Sequence, residues 1–203
     1  MKSLSEIEMT VKRASRAAGF SWGTSEEVGK SIRLLELFGL PGIKNLNQYY
    51  EDKKNQKFES LNLIDKKNQS STQSFCPIIL GVSFLDQIKT IESQNKIQFT
   101  SVAYPIIFLS FLSRASEVIG KKIYMKFDKN KILLNFNLNI CSNFFNQEFP
   151  SIANNIDVEF IENQDNFTQP EWQNLYKLSE NTFVEESESL KQGGAGAGLT
   201  DND

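Results

Sequence analysis

The residues of this sequence best suited to holding an anion are grouped near its N-terminus. Arg16 lies on the polar side of a predicted first helix, and an aromatic corner, Phe20–Gly23, follows it. A guanidinium group binds carboxylate or phosphate oxygens bidentately, which an ammonium group does not. Two interpretations stay open: Trp22 helps to wall an anion pocket, or the aromatic side chains plug a helix hairpin while the arginines pair with Glu26 or Glu27.

A second candidate anion anchor lies in the middle of the chain. Arg114 is the first charged residue after a long apolar run. It either projects into a cavity or extends to the surface beside Glu117. Together with the corner residues, it completes the predicted ligand-binding set: Arg16, Trp22, Glu27 and Arg114.

The absence of histidine restricts the reactions open to this chain. It excludes Ser-His-Asp and Cys-His catalysis and histidine-ligated metals. The two cysteines, Cys76 and Cys141, do not form a C-x-x-C pair, so no zinc site, other metal site or cofactor is predicted. A nucleophilic Cys76 would need a nearby cation or helix N-terminus, and we expect a buried apolar thiol instead.

The C-terminal segment is the candidate for binding a partner. Residues 191–203 are rich in glycine and form a predicted flexible tail that ends in Leu199, Asp201 and Asp203. The two aspartates suit either a divalent cation or an exposed acidic terminus. A third interpretation is that the tail delivers these three residues to a groove of a partner protein or of a second subunit.

Charge and hydropathy restrict the partners further. The net charge of −3 argues against a nucleic-acid partner, since such proteins carry basic patches. The longest apolar run, 103–112, is about half of what a membrane span needs, and residues 1–18 lack the apolar core of a signal peptide. We therefore expect a cytoplasmic protein without a membrane partner.

The elements that must position these residues begin with a helical block. Two S/T-x-x-E spacings, at Ser5 and at Thr24, predict capping boxes that begin helices over 5–18 and 25–38. Pro41 predicts the start of a third, shorter helix. Residues 51–74 follow; they are polar and rich in Lys, Asn, Gln and Ser, which predicts a long mobile loop.

A central helix is predicted over 104–120. Its first half is apolar on every side, so it must be covered on every side and lie in the middle of the fold. Pro105 suits the first helical position and Gly120 suits the stop. The apolar run 75–84 is ambiguous in period, and a buried strand over 78–82 is one interpretation.

Alternating apolar and polar residues predict strands on both sides of this helix, and a turn at 128–130 predicts a hairpin. The predicted strands are 96–103, 122–127, 131–137 and 156–161. Pro170 and Glu171 begin a last helix. The predicted fold is α+β, with an N-terminal helical block and a mostly antiparallel sheet around the central helix. We expect one domain over 1–190.

Two resemblances accompany these patterns. The sequence SWGTSEEVGKS at 21–31 and the end GAGAGLTDND resemble an uncharacterised bacterial domain-of-unknown-function family with a WG-x-x-EE-x-G corner and a GAGAGL-x-DND tail. Residues 4–50 are also similar to the N-terminal helices of malate/sulfolactate/ureidoglycolate-type NAD dehydrogenases. Those enzymes need a catalytic histidine, which is missing here, so that activity does not carry over.

The expected function is that of an accessory or binding protein that recognises a small anionic metabolite, a partner enzyme, or both. The alternative is a cofactor-independent lyase or isomerase that uses carboxylates with Arg114 or Arg16. An enzyme would need a buried acid–base group with a perturbed pKa beside the anion anchor, whereas a docking protein would need an exposed apolar groove.

Overall fold

The computed structural model describes residues 2–143 and 148–183, and the chain divides into two compact units after Asn163. The helices described in the first unit are α1 (Leu4–Ala17), α2 (Trp22–Leu37), α3 (Gly42–Asn55), α4 (Pro77–Ile91) and α5 (Pro105–Ile119). Its strands are β1 (Lys67–Asn68), β2 (Lys96–Phe99), β3 (Val102–Ala103), β4 (Lys122–Phe127), β5 (Asn130–Asn135), β6 (Asn139–Ser142), β7 (Ile152–Ala153) and β8 (Ile156–Ile161). The predicted α+β class with an N-terminal helical block is confirmed.

The first two helices begin earlier than their predicted capping boxes. Ser3, not Ser5, caps α1, because its side chain accepts a hydrogen bond from the backbone N–H of Glu6. Ser21, not Thr24, caps α2 by accepting from the backbone N–H of Thr24. Both serines supply the side-chain oxygen that an N-terminus requires. As a consequence, Trp22 is the first residue of a helix rather than part of a corner.

The predicted polar loop is shorter than 51–74. Helix α3 continues to Asn55, and the rest of the segment is held at several points. Ile64 is buried, and Glu59 accepts hydrogen bonds from the backbone and the hydroxyl of Ser71. The side chain of Asn68, in β1, is buried and bonded to the Gln98 carbonyl at 3.1 Å. Mobility of residues 56–74 stays a prediction.

Within the described part of the chain, the main sheet has six strands in the order β1-β2-β8-β4-β5-β6. Only β1 and β2 are parallel to each other; the other pairs are antiparallel, as predicted. The predicted hairpin is confirmed as β4 and β5, with Asp128 in the left-handed region at its turn. The strand predicted over 96–103 is broken: β3 pairs with β7 in a separate two-stranded sheet, after a left-handed Ser101.

Helix α5 is the predicted central helix, and it begins and ends where Pro105 and Gly120 indicated. Every residue from Pro105 to Ser113 is buried. The helix contacts α2, α3, α4, β4 and β5. The rings of Phe84, Phe99 and Phe108 meet pairwise with centroids 5.5–6.4 Å apart, which joins α4, β2 and α5 in one core.

The apolar run after Cys76 forms α4, so the interpretation of 78–82 as a strand is wrong. Cys76 is the N-cap and Pro77 the first residue of this helix. The helix packs against α5 so closely that a Cβ on Gly81 would lie 2.3 Å from the ring of Phe111. A helix with such extensive burial shows no clear apolar period, which explains the ambiguity of its sequence.

The second unit contains α6 (Gln169–Ser179) in its described part, which confirms the predicted last helix. Thr168 and Glu171 form a reciprocal capping box. Phe167 stacks on Trp172 with ring centroids 5.5 Å apart, as in a hydrophobic staple. The predicted tail 191–203, with Leu199, Asp201 and Asp203, lies outside the described residues.

Candidate functional site

Arg114 and Glu27 are brought together by the packing of α5 against α2. The Nη2 group of Arg114 forms an ion pair with Oε2 of Glu27. Its Nη1 group donates to the Glu27 carbonyl at 3.3 Å and to Oγ of Ser31 at 3.2 Å. Arg114 therefore pairs across the helix interface with Glu27, which is 87 residues away in sequence, and not with Glu117 on its own helix.

The pKa values around this pair follow from its charges. Burial acts to raise the pKa of Glu27, but hydrogen bonds and charges from Arg114 and Lys30 outweigh it and hold that pKa below its ordinary value. The bonds to Glu27 and then to Glu26 raise the pKa of Lys30. Bonds from Lys12 and Lys30 lower the pKa of Glu26 to about 2. Glu26, Glu27 and Lys30 are therefore charged at neutral pH.

Lys30 and Arg114 of this network line one cleft together with Arg33, which pairs with Glu8; we call it the cationic cleft. Its volume is about 200 Å³, and its lining residues are Lys30, Arg33, Leu34, Leu37, Arg114 and Asn137. The carboxylates that pair with the cations, Glu8, Glu26 and Glu27, are not among the lining residues. The lining therefore combines three cations with two leucines, and four of its residues, 30, 33, 34 and 37, lie on one face of α2.

The amide of Asn137 is positioned by a strained turn after β5. Phe136 and Asn137 both adopt left-handed backbone angles, with φ of 51° and 61°. The Asn137 side chain accepts a hydrogen bond from the hydroxyl of Ser113 at 3.1 Å and donates one to Glu117 at 3.1 Å. These two bonds fix the amide at the edge of the cationic cleft.

Arg16 and Trp22, the other two predicted ligand-binding residues, form a separate pair. The guanidinium carbon of Arg16 lies 5.6 Å from the centre of the Trp22 ring, and Nη1 donates to the Phe20 carbonyl at 3.0 Å. Trp22 is 56% exposed, whereas Phe20 is buried. Neither Arg16 nor Trp22 lines the cationic cleft. Phe20 alone thus fills the hairpin between the helices, and the ligand-binding role of this pair stays a prediction.

Lys30, Arg33 and Asn137 were not predicted as site residues. Lys30 and Arg33 are three positions apart on α2, a spacing that places two side chains on one helix face. That spacing of two cations could have indicated a binding site, but it is common on exposed helices and therefore not specific. Asn137 lies in an asparagine-rich run with no distinguishing pattern.

Cys76 lies at a helix N-terminus, yet its surroundings do not activate it. Burial raises the pKa of its thiol, and this effect outweighs the hydrogen bonds from Ile79 and Tyr49 that favour the thiolate. The hydroxyl of Tyr49 and Sγ of Cys76 are 3.0 Å apart, and both side chains are buried. Cys141 is exposed, and both thiols are free.

The described residues contain no cluster of three or more His, Cys, Asp or Glu side chains that could hold a metal ion. Within the same residues, no helix is both long and apolar enough to cross a membrane. The predicted role of Asp201 and Asp203 lies outside this part of the chain.

The fold and the charge network define an α+β protein whose N-terminal helices carry most of the candidate site. Residues 2–77 match a family described as "Protein of unknown function (DUF3726)", which confirms the resemblance to an uncharacterised domain family over these residues. Lys30, Arg33 and Glu27 lie in the matched part, whereas Arg114 and Asn137 lie outside it. No curated protein and no solved structure gave a match.

Proposed function

We propose that this chain is a cytoplasmic accessory or binding protein that holds a small anionic metabolite in the cationic cleft. The observation that carries the proposal is the lining itself, in which Lys30, Arg33 and Arg114 converge without a carboxylate among them. The network of ion pairs has four cations, Lys12, Lys30, Arg33 and Arg114, against three carboxylates, Glu8, Glu26 and Glu27. This local excess of one positive charge favours an anion although the net charge of the chain is −3. The two free thiols fit a reducing compartment.

The cations retain donors for a ligand. A guanidinium group has five N–H donors, and Arg114 uses three of them in bonds to residues in the described ranges. Arg33 uses one, to Oε2 of Glu8 at 3.0 Å. Charge-assisted hydrogen bonds from such donors are about twice as strong as those between neutral groups. The ion pairs to Glu8 and Glu27 orient both guanidinium groups.

The size and chemistry of the cleft restrict the ligand class. At about 30 Å³ for each water-sized group, 200 Å³ accommodates about seven non-hydrogen atoms. The cations suit a carboxylate or phosphate group, and the neighbouring side chains of Leu34 and Leu37 suit a short carbon chain. A small dicarboxylate or a phosphorylated metabolite fits this description.

The alternative of a lyase or isomerase is less well supported by the same geometry. A general base works best with a pKa near the operating pH. Glu27, the carboxylate closest to the cations, has a lowered pKa and is therefore a weak base. The tyrosines with raised pKa values, Tyr49 and Tyr104 among them, do not line the cationic cleft.

Calorimetric titration with succinate and with inorganic phosphate tests the proposal. The informative variant is Arg33→Gln, because Arg33 is half exposed and its loss should leave the fold intact. Loss of one charge-assisted contact should weaken binding about tenfold. Arg13→Gln is the matched control, since it removes the same charge from an exposed position of α1 outside the cleft.

Binding of either anion that weakens in Arg33→Gln and not in Arg13→Gln supports the proposal. Equal weakening in both variants would mean that the anions respond only to overall charge. Absence of saturable binding of both anions to the wild-type protein would reject the anion site.

A further inference from the structure

A second cleft, larger and of different chemistry, lies between α1 and α3. Its volume is about 360 Å³, and no residue lines both this cleft and the cationic cleft. Its apolar lining consists of Ile7, Val11 and Ala14 from α1 and Ile43, Leu46 and Tyr50 from α3. We call it the apolar cleft. All of these residues lie within the family match at residues 2–77.

The apolar cleft has a preformed wall. The hydroxyl of Tyr50 donates to Oγ of Ser15 at 2.7 Å, and that hydroxyl in turn donates to the Val11 carbonyl at 2.8 Å. The Tyr50 ring packs against Tyr49 and Phe20, with centroids 5.6 and 6.3 Å away. Because these contacts fix the ring, a ligand would meet a surface that needs little reorganisation, which favours affinity.

The charges at the apolar cleft cancel. Among the described residues, Lys2 and Glu6 are the charged ones that line it, and they form an ion pair with Nζ and Oε1 2.7 Å apart. A charged ligand group would find no uncompensated partner here and would lose part of its hydration. In contrast, Thr10 and Asn47 also line the cleft, and both are exposed and uncharged. They offer neutral donors and acceptors.

The volume of the apolar cleft matches a small molecule. At about 30 Å³ for each water-sized group, 360 Å³ accommodates about a dozen non-hydrogen atoms. Most apolar small-molecule sites begin at about 300 Å³, so this cleft is of the right size for a small molecule.

We infer that the apolar cleft binds an uncharged amphipathic molecule with an apolar body of about eight to ten carbon atoms and one hydrogen-bonding end. The apolar body lies against Leu46, Val11 and Tyr50. The polar end faces Thr10 and Asn47. This inference does not rest on the proposed anion site, and an experiment can reject either one without rejecting the other.

Three probes with the same chain and different ends test the ligand class: 1-octanol, octanoate and octylammonium. Each is titrated into the full-length protein while the methyl resonances of Ile7, Ala14 and Leu46 are followed by NMR. We expect saturable shifts with 1-octanol and dissociation constants at least tenfold higher for both charged probes.

Filling the apolar cleft with a large side chain tests whether the ligand binds there. Ala14→Trp should raise the dissociation constant of 1-octanol at least tenfold, because the indole occupies the ligand's space. Ala17→Trp is the matched control: Ala17 is exposed on the same helix and does not line the cleft, so it should change the constant less than twofold. Circular dichroism and thermal unfolding confirm that both variants are folded.

Three results would overturn the inference. They are the absence of a saturable shift with 1-octanol, equal loss of binding in the two tryptophan variants, and tighter binding of octanoate than of 1-octanol. The last of these would replace the uncharged ligand by an anionic one.

Discussion

Replacing Gly81 by alanine tests the closest approach between α4 and α5. A Cβ at this position would lie 2.3 and 2.4 Å from Cδ2 and Cγ of the Phe111 ring, distances that folded proteins do not tolerate. The Phe111 side chain is fully buried, so its ring cannot move out into solvent. Either the ring or one of the two helices must shift.

The expected loss of stability combines two terms. Overpacking a well-packed core costs about 1–3 kcal/mol, occasionally more. Alanine has a better helix propensity than glycine, which offsets about 1 kcal/mol of this loss at an interior helical position. Because the clash involves a buried ring rather than the end of a flexible side chain, we place the overpacking term at its upper limit. The net loss for Gly81→Ala is then about 2 kcal/mol.

Urea unfolding followed by circular dichroism at 222 nm measures this loss. Tryptophan fluorescence is less suitable, because Trp22 is 56% exposed in the folded protein. The control is Gly23→Ala, since a Cβ on Gly23 would meet nothing within 4 Å. In a double-mutant cycle, Phe111→Leu should relieve part of the effect, with a coupling energy of at least about 1 kcal/mol. A Gly81→Ala protein within about 0.5 kcal/mol of wild type, with no coupling to Phe111, would refute this packing.

Three further predictions concern the ion pair, the thiols and the last helix. Arg114→Met should cost about 1–3 kcal/mol at pH 7, between the limits for exposed and buried pairs. Folding lowers the pKa of Glu27, so the stability that the ion pair contributes should be complete above pH 4.5 and should disappear as the pH falls through the lower folded pKa. Urea unfolding of wild type and Arg114→Met at several pH values measures this, and a difference in stability that stays constant down to about pH 2 would contradict it. A thiol reagent should modify exposed Cys141 at once and buried Cys76 only after denaturation, and two equally fast thiols would contradict the burial. Thr168→Ala should destabilise α6 by about 1 kcal/mol, seen as roughly fivefold faster amide exchange in that helix, and unchanged exchange would argue against the capping box.

The elements that were predicted best from the sequence are those whose apolar patterns do not depend on contacts with distant residues. The helix at 105–119 was evident because it is apolar on all sides, and the hairpin of β4 and β5 because its residues alternate. Capping was less predictable, since Ser3 and Ser5 are both acceptable N-caps and only the backbone selects between them. Helix α4 was missed because its burial removes the period that separates a helix from a strand.

Of the four predicted ligand-binding residues, Arg114 lines the cationic cleft and the other three do not. Arg114 and Glu27 were both expected to bind a ligand, but their pairing depends on how α5 crosses α2, which no local pattern encodes. Lys30 and Arg33 become site residues for the same reason. Trp22 resembled a pocket wall because tryptophan is usually buried, whereas the earlier cap at Ser21 places it on an exposed helical turn.

The arginine side chains themselves give the most direct test of the proposed anion site. In a ¹⁵N NMR titration with succinate, the Nε–H resonances of Arg33 and Arg114 should shift together and saturate, because both line the cationic cleft. Those of Arg13 and Arg16, which do not line it, should remain in place. Equal shifts of all four resonances, or shifts confined to Arg13 and Arg16, would contradict binding in the cationic cleft.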